Sequence, residues 1–135
     1  MNEIVLFDSS VLIDQLRTNC YLKKMIHVQG IVRSSSVVLA ELWRGARSAV
    51  DRRVIQSLES NHPILSPTTS NWLESGQILG KIGKDRGFEP GKLRDLHLDV
   101  LIALTARAHG ARLITSNRAD FELIRSYRDF KLETW

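Results

Sequence analysis

With 135 residues and 19 Lys and Arg against 15 Asp and Glu, the chain has the length of one domain (1–135), a formal charge of +4 and enough apolar residues, 43%, to fill a core. Those values exclude disordered, collagen-like and repeat architectures, and the single Cys20 excludes an internal disulfide or a cysteine-based zinc site. No apolar run reaches the length of a membrane span and Met1-Asn2-Glu3 does not open like a signal peptide, so a soluble, intracellular, cytoplasmic protein is expected. A pI near 9.6 suits a polyanionic partner without identifying one.

Taken in chain order, Ile4 to Phe7 is a short, fully apolar run, the pattern of a strand buried on both faces. It stops at Asp8, after which Ser9-Ser10 caps a helix carrying Val11, Leu12, Ile13 and Leu16 and ending near Asn19. Gly30 to Arg33 forms a second short strand, and the serines at 34–36 start a helix with Leu39, Leu42, Trp43 and Ala46 on its buried stripe. A more polar helix runs to about Ser60, and His62 to Pro67 is a short extended segment. The helix from Thr68–Ser70 carries Trp72, Leu79 and Ile82, and residues 83–91, from Gly83 on, are expected to be loop because Gly87, Pro90 and Gly91 break regular structure. Leu93 to His109 is apolar almost all round, the mark of a helix packed on several sides, with Gly110 at a left-handed C-cap. A strand at Arg112–Thr115, a turn at 116–120, a helix at 121–124 and a last strand around 130–132 complete an α/β domain with a mostly parallel sheet.

The informative residues are acids in apolar surroundings. Asp99 has Leu96, Ile102, Ala103 and Ala106 as helical neighbours, and Glu41 is bordered by Val37, Val38 and Gly45. Singly, each acid has an ordinary reading: Asp8 and Asp120 as helix caps, Glu41 paired with Arg44 or Arg47, Asp99 paired with Arg33 or Arg94. Together, two acids at strand ends and two on adjoining helices can converge where ligands bind in parallel sheets, beyond the carboxyl ends of the strands. Carboxylates so gathered repel unless they share a divalent cation, and hard oxygen donors select Mg²⁺ or Mn²⁺. Such a centre suits phosphodiester hydrolysis, with the surplus Lys and Arg holding a nucleic-acid backbone. An Asp after the first strand also occurs in phosphoryl-transfer domains, but Asp8-Ser9-Ser10 lacks the second acid of their Asp-x-Asp motif.

Three segments, Val5 to Asp14, Ser36 to Leu42, and Leu98 to Ala103 running on to residues 113–121, resemble in order and spacing the PIN domain, and within it the small VapC-like ribonuclease toxins of type II toxin–antitoxin pairs. The resemblance implies a three-layer α/β/α sandwich, usually homodimeric, and Mg²⁺- or Mn²⁺-dependent endonucleolytic cleavage of RNA. It also implies a cognate antitoxin whose tail lies in a groove near the site, for which Leu12, Leu16, Leu39 and Trp43 are candidates beside their reading as core. Asp8, Glu41 and Asp99 become metal-binding acids. The family's fourth acid falls where this chain has Asn117, with Asp120 three residues on, so either or both can fill that place. Ser10 and Thr115 would add supporting hydroxyls. A housekeeping RNA-processing nuclease and a non-catalytic binding module of the same fold are the alternatives.

Overall fold

The computed structural model describes residues 2–135. A five-stranded sheet, all of its pairings parallel, runs in the order β3-β2-β1-β4-β5, formed by β1 (Ile4–Phe7), β2 (Ile31–Ser35), β3 (Ile64–Leu65), β4 (Arg112–Thr115) and β5 (Lys131–Thr134). Seven helices accompany it among the described residues: α1 (Ser9–Thr18), α2 (Leu22–Ile26), α3 (Ser36–Gly45), α4 (Ala49–Asn61), α5 (Thr69–Arg86), α6 (Pro90–Ala108) and α7 (Arg118–Tyr127).

Side-chain alternation along the strands separates two cores. Leu6 and Leu113 enter the large core with α3, α5, α6 and α7, whereas Val5 and Ile114 join Val11 of α1, backed by Phe7, Tyr21, Met25 and Trp135, in a smaller one. The layers are thus α/β/α. Helix α6 is the central pillar, with Leu96 and every residue from Val100 to Ala106 buried, which accounts for its lack of a polar face.

The topology places the site. The chain leaves β1 toward β2 and β3 on one side and later returns to β4 and β5 on the other, so strand order reverses between β1 and β4. The crevice beyond the carboxyl ends of those two strands receives Asp8 from one and Ser116-Asn117 from the other.

Four local expectations are corrected. Ser9 and Ser10 do not cap α1: Asp8 occupies the cap position, and its carboxylate makes no capping hydrogen bond because it is turned to other partners. The loop expected at 83–91 shrinks to residues 87–89, since α5 continues to Arg86 and α6 already starts at Pro90, a residue suited to a first helical turn. Gly83 lies within α5 instead of opening the loop, and a Cβ there would lie 2.9 Å from Leu93 Cδ1, so its absence lets α5 and α6 approach. Helix α7 starts at Arg118, inside the expected turn, and the five-residue α2, whose sequence Leu22-Lys23-Lys24-Met25-Ile26 has too few residues for a periodic signal, was not expected. Ser35 caps α3 through Val38 N–H, and Gly110 is left-handed at φ 61°, as the sequence implies.

Candidate metal centre

Asp8 is 2% exposed and sits at the junction of β1 and α1. Its Oδ2 accepts from the hydroxyls of Ser10, at 2.7 Å, and Thr115, at 2.9 Å. Each hydroxyl in turn accepts a backbone N–H from the β4–α7 turn, Ser10 from Ser116 at 3.1 Å and Thr115 from Asn117 at 2.9 Å. Two O–H donors locked in this way fix the carboxylate's rotation and leave Oδ1 buried with no hydrogen-bond partner. A buried carboxylate oxygen without a partner costs several kcal/mol unless something cationic meets it.

Glu41, half-buried on the inner face of α3, accepts from Ser9 Oγ at 3.2 Å and has the Arg44 guanidinium 4.0 Å away, one turn along the same helix. Burial raises its pKa above the ordinary carboxylate range and the nearby Asp8 charge adds to this. Asp99 arrives from the middle of α6. Burial and then the charges of Asp8, Glu41 and Asp120 push its pKa up to about 8, against a smaller opposing pull from Lys92. Neither arginine considered from the sequence is what tempers Asp99: Arg33 donates instead to the Val32 carbonyl, and the cation acting on Asp99 is Lys92.

Asp8, Glu41 and Asp99 each offer a carboxylate oxygen within 4.8 Å of the others. Asp120 is not within that span of all three. It lies at the edge, its Oδ1 3.3 Å from Lys92 Nζ and its Oδ2 accepting from Asn117 Nδ2 at 3.1 Å. Asn117, rather than Asp120, stands at the N-cap of α7, so the capping reading of Asp120 is set aside. The donor set, three carboxylates from three elements with one buried oxygen unmatched, fits a hard divalent cation.

Sequence reasoning did not single out Lys92 or the Ser9 contact to Glu41. Lys92 stands two helical turns before Asp99 on α6, a spacing that puts both on one face and could have revealed it. Of the four groove candidates, Leu39 is core and Leu12 packs against it. Leu16 lines a cavity of about 120 Å³ with Ile13, Leu42, Ala46 and Ile55 between α1, α3 and α4. Trp43 is partly exposed and donates its indole N–H to Glu59.

With this geometry in place, a family model for the PIN domain matches residues 5–126. The chain belongs to the PIN domain family. Its fold also resembles solved structures over nearly the whole length. The DNA-bound VapBC complex from Salmonella typhimurium matches with a TM-score of 0.72 at 22% identity, covering 100% of this chain and 99% of that one. VapBC2 from Rickettsia felis, bound to a fragment of its promoter DNA, matches with a TM-score of 0.73 at 21% identity and 98% coverage of both chains. VapBC-5 from Mycobacterium tuberculosis, a toxin–antitoxin system, matches with a TM-score of 0.63 at 20% identity, covering 97% of this chain and 96% of that one. Comparison with curated proteins gave no match. No helix of this PIN domain, among the described residues, is long and apolar enough to cross a membrane.

Proposed function

We propose that this PIN domain is a metal-dependent endoribonuclease acting in the cytoplasm as the toxin of a type II toxin–antitoxin pair. The observation that carries the reading is the meeting of Asp8, Glu41 and Asp99 within 4.8 Å at the sheet's switch point, with one Asp8 oxygen buried and unmatched. These three acids would hold Mg²⁺ or Mn²⁺. Bound there, the cation supplies the positive charge that activates water and stabilises the developing charge on a scissile phosphate.

The chain's own groups divide the remaining work. Ser10 and Thr115 hold Asp8 in one rotation, and Ser9 holds Glu41. Asp99, protonated at neutral pH without metal, gives up its proton when its oxygen is needed as a ligand. Lys92 and Asn117 hold Asp120 beside the trio, where it adds negative charge without competing for the ligand positions. The exposed Arg44 on the rim and the chain's surplus positive charge attract the RNA backbone.

The toxin reading draws on the fold's likeness to chains of VapBC complexes and on the cavity between α1, α3 and α4, where Ile13, Leu16, Leu42 and Ile55 stand beside the charged Arg17, Arg47 and Asp51 and an antitoxin tail would lie. A second copy of the chain would complete the family's usual homodimer. Induced expression tests this reading: growth arrest by the wild type, abolished by Asp8→Asn and relieved by a small partner encoded beside the gene, is expected. Unimpaired growth with soluble protein present contradicts it.

A further inference from the structure

A cavity of about 470 Å³ opens beside the acid cluster between α3, α5 and α6, and Glu41 is shared between the two. Val37, Ala40, Pro67, Leu98 and Leu101 give it apolar walls, the Trp72 indole stands at its side, and Arg44 reaches the same space. Trp72 is 52% exposed, so part of its indole is open to a stacking partner.

The indole is contacted on one side by His97, which Ser75 positions. Ser75, fully buried one turn along α5, donates to the Trp72 carbonyl at 2.6 Å, and its oxygen lies 3.0 Å from His97 Nε2. Because the single hydroxyl proton is committed to the carbonyl, His97 donates to Ser75 from Nε2. The imidazole then meets Trp72 edge-on, with centroids 6.0 Å apart and planes at 78°. One side of the indole is thus buttressed by α6 while the ring borders the cavity.

Resting on the ribonuclease reading and deepening it, we propose that this cavity receives one unpaired base of the substrate strand, stacked on Trp72, next to the phosphate that is cut. An apolar slot with a fixed aromatic wall suits a splayed base, and Arg44, beside Glu41, suits the adjoining phosphate. Recognition of this kind requires single-stranded RNA, because a base paired in a helix cannot enter. It also supplies selectivity from the rim of the site itself.

The test compares wild type, Trp72→Ala and Trp72→Phe on a short single-stranded RNA and on the same RNA made abasic at each position flanking the cut. Trp72→Ala is expected to lower kcat/KM by about 5- to 100-fold while Trp72→Phe keeps most of it. One abasic position should cost the wild type as much and cost Trp72→Ala nothing further. Equal cleavage by wild type and Trp72→Ala, or losses that simply multiply, overturns the proposal. Cleavage of no RNA by the wild type counts against the ribonuclease reading instead, and the cavity is then judged by binding alone. In a Trp43→Phe, Trp135→Phe background, saturable quenching of Trp72 fluorescence by the intact RNA and its loss with the abasic RNA uphold the base site, and absence of quenching overturns it. A blue shift of Trp72 emission with protein concentration, unaffected by RNA, gives the surface to a second copy of the chain and overturns it too.

Discussion

Thr115 Oγ1 donates to Asp8 Oδ2 at 2.9 Å, a contact between residues 107 positions apart that ties the end of β4 to the end of β1. The same oxygen accepts the Asn117 N–H, so one threonine fixes both a carboxylate and the turn that leads to Asp120. Replacing it by Val keeps the shape and removes both hydrogen bonds. Thr115→Val should lower Mn²⁺ affinity by about 10- to 100-fold and cost roughly 1–3 kcal/mol of stability, and Thr115→Ser should restore most of both. Calorimetric titration with Mn²⁺ and thermal unfolding read the two effects.

Metal binding should release a proton. With the Asp99 pKa near 8 in the metal-free protein, its carboxyl is mostly protonated at pH 7 and must ionise to serve as a ligand. Apparent Mn²⁺ affinity should therefore rise by about tenfold per pH unit from pH 6 toward 8 and then level off. Titrations in buffers of different ionisation enthalpy count the proton directly, and an affinity flat across this range sinks the idea.

The same shift has a consequence for stability without metal. A carboxyl whose folded pKa lies above its unfolded value of 3.8 binds more protons when folded, so its contribution is full below about pH 3.8 and is lost as pH rises through 8. Asn cannot ionise. In the presence of a chelator, Asp99→Asn should match the wild type near pH 4 and exceed it above pH 8 by on the order of 2 kcal/mol, a value set below the full shift because solvent screens a half-buried group. Thermal unfolding across pH 4–9 checks both the sign and the window.

Asp120 and the three clustered acids should separate in kinetics. Asp8→Asn and Asp99→Asn each remove a ligand and should reduce RNA cleavage by about 10²- to 10⁴-fold. Asp120→Asn leaves the trio intact and should cost about tenfold or less. An Asp120→Asn enzyme as dead as Asp8→Asn would place Asp120 among the ligands.

Much of this arrangement was legible before the fold. Apolar runs such as Ile4–Phe7 report burial on both faces, and a carboxylate amid Leu96, Ile102 and Ala103 reports an energetic anomaly that needs a cationic partner. Gly83 shows where linear order misleads: it stands at the expected start of a loop, yet it lies inside α5, where the approach of Leu93 from another helix makes it a packing residue. The Ser10 and Thr115 hydroxyls that aim Asp8 come from opposite ends of the chain and are expected only through the family resemblance, and the cavity beside Trp72, assembled from three helices, leaves no local periodic trace.

In the proposed function, Asp8, Glu41 and Asp99 form a divalent-metal centre that cuts RNA. The most direct measurement is cleavage of a single-stranded RNA by purified wild type and Asp8→Asn protein with Mn²⁺, and with Mn²⁺ plus excess EDTA. Site-specific cleavage by the wild type alone, abolished by EDTA and restored by added Mn²⁺, is the predicted result. Cleavage that survives EDTA, or that Asp8→Asn performs as fast as the wild type, would contradict the account.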